Sequence, residues 1–187
     1  MKNILKNRWA LSTVVTTLII LVVSVLLAGV VTYFAINVVS TRVQEENLSL
    51  SKQHIWVSMD GDAVAAIMIT NTGGRDVVIS KIAVRGQAID MENDVWFVVA
   101  DPDDDLTEDL IYIPSGQIDE DAEFGGLSGA PAQPPGNSLV LTSGSTMVVY
   151  ITTPGSVSVN DIGLTIAITV FTSQAIHYKE TNVEAAL

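Results

Sequence analysis

The stretch Leu18-Ile19-Ile20-Leu21-Val22-Val23-Ser24-Val25-Leu26-Leu27-Ala28-Gly29-Val30-Val31 decides the first half of the fold. It lies inside a longer run, Trp9 to Thr41, of 33 residues without a charge. As a helix rising 1.5 Å per residue, that run is about 50 Å long, against about 30 Å of bilayer hydrocarbon. It also exceeds the roughly 7–15 apolar residues of an ordinary secretory signal. β-Branched residues are poor helix formers in water, but lipid leaves a helix as the only way to satisfy this backbone. Lys2, Lys6 and Arg8 precede the run with no acid among them, which places the N-terminus in the cytoplasm and the remainder outside.

The rest of the chain has the opposite character. Mean hydropathy over the whole protein is +0.41, yet its formal net charge is −12. From Val43 onward there are five basic residues against all 21 acids, so that part carries −16. Its roughly 140 residues suffice for one domain with its own core. The chain has no cysteine, which excludes disulfides, a thiolate nucleophile and cysteine metal sites. Nucleic acid is not an expected partner, because a phosphate-binding surface needs clustered Lys and Arg, and none occurs between Arg85 and Lys179.

Two explanations fit a helix longer than a bilayer. One is a tilted anchor that continues into a stalk. The other is a helix that leaves the bilayer to pack against copies of itself, where partners on every side are apolar.

The N-terminal residues carry a family resemblance. Lys6-Asn7-Arg8-Trp9-Ala10-Leu11-Ser12-Thr13-Val14-Val15, followed by the apolar run, resembles the class III signal of archaeal type IV pilins and archaellins. In that family a membrane-embedded prepilin peptidase removes a short basic leader and leaves the helix on the mature protein. The resemblance implies processing between Ala10 and Leu11, with Arg8 in the basic leader, and Trp9 stands where the family usually has Lys or Arg. Val15 stands where bacterial pilins carry an acid near the mature start, which favours the archaeal branch. Leu18, Leu21, Val25, Leu26, Val30 and Phe34 would then belong to a filament-core helix.

Past Arg42 the pattern reads as an amphipathic continuation of the helix, with Val39, Val43 and Leu50 near one face, ending near Lys52. Asn47-Leu48-Ser49 is an N-glycosylation sequon on the outer side. From Ile55 the period changes to two. Strands are expected at 54–59, 64–70, 77–84, 95–100, 110–113, 138–142, 146–152, 164–172 and 175–183. Ser143-Gly144-Ser145 and Ser173-Gln174 read as hairpin turns. Ile67 to Gly86 resembles the first hairpin of archaeal pilin, archaellin and archaellum-accessory sandwiches, and Asp161-Ile162-Gly163-Leu164 their approach to a terminal strand pair.

Asp90 to Pro135 breaks this regularity with thirteen acids and no basic residue, ending in Gly- and Pro-rich sequence. Asp101, Asp103 and Asp105 alternate as in a calcium loop, so Ca²⁺ is the one cofactor considered. The glycine and closing Glu of an EF-hand are not in place, and the alternative is a solvated acidic loop that keeps the head soluble or complements a neighbouring subunit. His54 and His177, the only histidines, have no metal-ligand spacing. No nucleophile elbow, phosphate loop or dinucleotide fingerprint occurs, so no enzymatic activity is expected.

The expected architecture is α+β, one long N-terminal hydrophobic helix followed by an antiparallel β-sandwich or barrel-like relative. Residues 1–10 would form the leader, 11–53 the helix, and 54–187 an extracellular head with an acidic insert at about 90–136. The expected role is a structural subunit of an archaeal pilus-like or archaellum-like filament. Its partners would be other copies of itself, the membrane, a prepilin peptidase, a membrane platform and an assembly ATPase. The alternative is an uncleaved single-span surface protein with a binding head, similar to archaellum accessory proteins.

Overall fold

The computed structural model describes residues 8–43 and 46–186, with side chains of the N-terminal helix described from Ser12 to Ser40. The leader residues Lys2 and Lys6 lie outside the described residues. The protein is α+β and divides into two compact units, split after Val43.

The first unit is a single helix, α1 (Arg8–Val43). It stops well short of the expected boundary near Lys52. Leu48-Ser49-Leu50-Ser51 alternates with period two, and as a strand it buries Leu48 and half-buries Leu50, which a solvated helix end could not do.

The second unit is a curled sheet of nine strands: β1 (Leu48–Val57), β2 (Ala63–Asn71), β3 (Val77–Val84), β4 (Gln87–Ala88), β5 (Val95–Val99), β6 (Leu139–Leu141), β7 (Thr146–Thr152), β8 (Thr165–Thr172) and β9 (Ile176–Ala185). The strand order is β4-β3-β8-β9-β1-β2-β7-β5, with β6 also paired to β3. The sheet is mixed rather than antiparallel, because β1 and β9 pair in parallel through Ile55–Val57 and Val183–Ala185. That seam divides the sheet into one limb of β1, β2, β7 and β5 and another of β9, β8, β3, β6 and β4. Inward residues of both limbs share one core, including Ile55, Ile67, Ile69 and Ile151 from the first and Ile79, Ile82, Ile168 and Val170 from the second.

Two expected hairpins are corners instead. β2 pairs with β1 and β7, whereas β3 pairs with β4, β6 and β8, so Asn71–Asp76 carries the chain between limbs. Ser143-Gly144-Ser145 does the same between β6 and β7, with Gly144 at φ 79°. Local alternation identifies a strand but not its partner, which tertiary burial chooses. The buried Asn71 fastens both corners. Its Nδ2 donates to the carbonyls of Arg75 (2.8 Å) and Leu141 (3.1 Å), and its Oδ1 accepts from Gly73 N–H (3.0 Å). Every polar atom of that buried amide is therefore used. True hairpins remain at β1–β2, at β8–β9 and at β3–β4, where Arg85 and Gly86 have φ 51° and 80°, the signature of a two-residue type I′ turn.

Leu110–Ile113 is not a strand. Leu110 and Ile113, with Ile118, Phe124 and Leu127, instead pack on the outer face of the first limb against Trp56, Val64, Ala66, Met68, Val148 and Tyr150. β2 is consequently buried on both faces. The acidic insert is thus a packed layer with a charged outer surface, and the expectation of a solvated loop is corrected.

Candidate interaction surfaces

Every described side chain of α1 is exposed. The six expected core positions are among the most exposed, from Leu18 at 61% to Phe34 at 68%. Each large apolar side chain left in water forgoes about 1.5–3 kcal/mol, so the helix requires an apolar environment around its whole circumference. Its hydroxyls are matched to that environment. Thr16, Thr17, Ser24 and Thr32 donate to the carbonyls of Ser12, Val14, Ile20 and Ala28 at 2.7–2.9 Å. These groups are satisfied within the helix itself and ask nothing of lipid or of a neighbouring helix. The stretch Ser12–Ser40 is long and apolar enough to cross a membrane. Arg8, Ala10 and Leu11 form the start of the helix, so the Ala10–Leu11 bond has helical backbone.

The second surface is built around a bulge in β1. Register shifts between Ser51 and His54, and Lys52 takes a left-handed φ of 49°. The bulge re-aims two side chains at the acidic insert. Lys52 Nζ donates to the carbonyls of Leu106 and Glu108. His54 Nε2 hydrogen-bonds Asp109 Oδ1 at 3.1 Å, and Nδ1 faces Glu184 Oε1 at 3.5 Å without hydrogen-bonding geometry. The His54 ring stacks on Trp56 at 5.0 Å, which meets Tyr112 of the insert edge-on at 6.1 Å. At the β1–β2 turn, Asp62 Oδ2 accepts from Tyr112 Oη (3.2 Å) and Ser115 N–H (2.9 Å). Tyr150 Oη donates to the carbonyl of Ile111 at 2.9 Å. Burial pushes the Tyr150 phenol far above its ordinary value.

Asp101, Asp103 and Asp105 do not converge, and among the described residues no three His, Cys, Asp or Glu side chains are grouped to hold a metal. The acids serve the local backbone instead. Asp104 accepts from Ser128 Oγ (2.7 Å) and N–H and from Asp101 N–H, and Asp105 accepts from Thr107 N–H and Oγ1. Side-chain bonding to Ser128 and Thr107, followed by backbone bonding, holds both carboxyls below their ordinary value. At Asp109 burial acts upward, but His54 and the Leu110 N–H outweigh it and the net direction is down. Gly129 is needed where it stands, because a Cβ there would lie 2.8 Å from Val98 Cγ1.

Asn47 is exposed just before β1 rather than on a helix, with its carbonyl accepting from Thr72 and Gly73 N–H. His177 lies in terminal strand β9 as expected, but it is half-buried rather than the exposed residue that the alternation suggested. The Lys52–His54 bulge was not foreseeable, since nothing in Ser51-Lys52-Gln53-His54 marks a left-handed residue. The insert's packing did leave a signal: large apolar residues recur through the acidic segment, and β2 is an uninterrupted apolar run.

No family model matches the chain, and no curated protein matches it. Among solved structures it is similar to a beta-glucosidase from Listeria innocua in complex with glucose, at 13% identity and a TM-score of 0.27. The match covers 76% of this chain and 16% of that one, and a likeness this distant carries nothing about activity.

Proposed function

We propose that the protein is a structural subunit of an archaeal type IV pilus-like or archaellum-like surface filament, polymerising through α1. One observation supports this reading above the others. α1 is charge-free and apolar around its whole circumference between Ser12 and Ser40, about 44 Å of helix, where lipid accounts for about 30 Å. A helix destined for a bundle of identical helices benefits along all of that length. Copies would be related by a heterologous contact that does not close, which generates a helical polymer. The curled sheet, read as a relative of the pilin sandwich, would form the outer surface and serve adhesion or motility. Before assembly the helix would sit in the membrane with its N-terminus cytoplasmic. A prepilin peptidase would cut at Ala10–Leu11, and a platform protein and ATPase would drive assembly. The exposed Asn47 would accept a glycan on the outer side.

The second reading is an uncleaved single-span anchor carrying a β-rich binding domain. Trp9, at the position where the family carries a basic residue, is the observation favouring it. Sequencing the N-terminus of protein from sheared surface filaments separates the two. A start at Leu11 is expected, whereas Met1 retained in unpolymerised membrane protein would sink the filament reading.

A further inference from the structure

The parallel seam between β1 and β9 is only half closed. Its three residue pairs, from Ile55–Val183 to Val57–Ala185, all lie at the C-terminal ends of the two strands. Toward their N-terminal ends the strands part around a cleft of about 410 Å³, lined by residues 48–50 of β1 and 176–179 of β9. That is within the range of about 300–1,000 Å³ in which proteins hold ligands. Where the strands begin to part, Gln53 Nε2 reaches across to the Glu180 carbonyl at 3.4 Å, a side chain standing in for a ladder bond.

The neighbouring ladders show which backbone groups face the opening. Asn71 N–H donates to the Ser145 carbonyl and its own carbonyl accepts from Gly144 N–H, so Leu48, its partner in β1, turns its N–H and C=O away from β2. Direction alternates along a strand, so Leu50 does the same. On β9, Val183 bonds Gly163 and Leu164 on the β8 side, and by the same alternation Ile176, Tyr178 and Glu180 face β1. The Gln53 bond to Glu180 has that direction. Leu48, Leu50, Ile176 and Tyr178 therefore hold two facing rows of N–H and C=O groups that no strand among the described residues uses. His177 Nε2, in the same cleft and on the core side opposite Val170, is buried without a hydrogen-bond partner.

We propose that this opening receives an extended, proline-free segment of another polypeptide, which enters the sheet as a strand between β1 and β9. Only a chain in extended conformation offers donors and acceptors to both rows at once, and proline would forfeit a donor. Its core-side residues lie beside buried Leu48 and half-buried Leu50, so alternate positions of the segment are apolar. Among the described residues a second copy has no such segment to lend: all nine strands are paired, and the extended parts of the insert are held by Leu110, Ile113 and Ala132. Docking there does not depend on whether α1 packs against lipid or against other helices.

The test uses the full-length chain in lipid nanodiscs and a defined probe, a short peptide of alternating Val and Thr, beside the same peptide N-methylated at every Val. In hydrogen exchange the Leu48, Leu50, Ile176 and Tyr178 amides are expected to exchange freely in the chain alone and to slow on the order of tenfold with the unmethylated peptide only. Tyr178→Pro removes an N–H that faces the opening and none that β8 uses, while Tyr178→Thr removes the ring and keeps the N–H. Fluorescence anisotropy of the labelled peptide should show binding to Tyr178→Pro weaker than to Tyr178→Thr by roughly two- to tenfold, as the loss of one hydrogen bond predicts. Equal affinities for the two variants would overturn the proposal. So would amides already protected in the chain alone, no slowing with the peptide, or equal slowing by its methylated form. Protection that grows with protein concentration in the absence of peptide would assign the opening to a second copy and overturn it too.

Discussion

Phe124 lies against Tyr150, with ring centroids 4.3 Å apart and both side chains at most 1% exposed. The first ring belongs to the acidic insert and the second to β7, so one aromatic pair joins the most charged segment of the chain to the sheet. Phe124→Ala removes this payload and leaves a cavity over Ala66 and Val148. The expected loss is about 3–5 kcal/mol in denaturant unfolding followed by tryptophan fluorescence. Tyr150→Phe keeps the ring and removes only the bond to Ile111, so it should cost about 0.5–1.5 kcal/mol. Equal losses for the two variants would mean that the insert is not held by ring packing.

The clasp around the β1 bulge separates backbone strain from side-chain contact. Lys52 occupies a left-handed conformation that glycine adopts freely. Lys52→Gly relieves that strain but loses the contacts to Leu106 and Glu108, while Lys52→Met loses the contacts and keeps the strain. Both should speed proteolytic cleavage within 101–123, with Lys52→Met the less stable of the pair by about 1 kcal/mol. If cleavage is unchanged in both, Lys52 does not hold the insert.

Much of this was readable in advance, and the parts that were not share a cause. The charge-free run announces α1, and alternation locates β3 and β7 to the residue. Strand partners depend on residues far away in sequence. That is why the parallel β1/β9 seam and the corners at Asn71 and Gly144 escaped a local reading. The β1 start was lost to a competing period: Val39, Val43 and Leu50 fit a helix face, but Leu48 and Leu50 fit a strand and reach the core. In the insert, Leu110, Ile113, Ile118, Phe124 and Leu127 follow no period, since an irregular chain lying on a sheet needs none.

Asn71 is the polar counterpart of that aromatic pair. Asn71→Ala leaves the Leu141 carbonyl and the Gly73 N–H without their partner, and a buried unsatisfied group costs about 1–3 kcal/mol. Asn71→Asp should be worse, because a carboxylate can donate to neither Leu141 nor Arg75. Thermal unfolding ranks the two. Both variants matching the parent would show that the corner does not depend on the amide.

Acid should weaken the β-rich unit. Asp104, Asp105, Asp109 and Asp161 all have carboxyls held below their ordinary 3.8; at Asp161 the Ser158 hydroxyl and N–H bonds lead, with Arg85 assisting. A carboxyl with a folded value below its unfolded one contributes stability that is complete above 3.8 and is lost as pH falls through the folded value. Asp94, raised first by burial and then by Asp90, acts in the opposite sense. Asp90 is also held low, by the Asn93 side-chain bond and then the Glu92 N–H, so five depressed groups against one raised group predict falling stability below about pH 4. Asp104→Asn with Asp105→Asn should flatten that dependence in unfolding measured from pH 7 to 2.5, and an unaltered slope would contradict the assignment.

Gly29 distinguishes a filament core from a lipid anchor. In the isolated chain a Cβ at Gly29 meets nothing within 4 Å. Gly29→Leu therefore introduces no clash in a lone helix, and it should firm the helix by up to about 1 kcal/mol through propensity. In lipid, leucine is as well solvated as its neighbours, so an anchor should tolerate the change. A bundle of identical helices is different, because small residues are the places where helix backbones approach closely. There the added side chain would overpack the contact at a cost of about 1–3 kcal/mol per subunit. Filament yield from sheared cells should fall sharply while membrane-inserted protein stays at the parental level. Parental filament yield would mean that α1 does not pack closely through Gly29, and a matching loss of inserted protein would point to a defect before assembly.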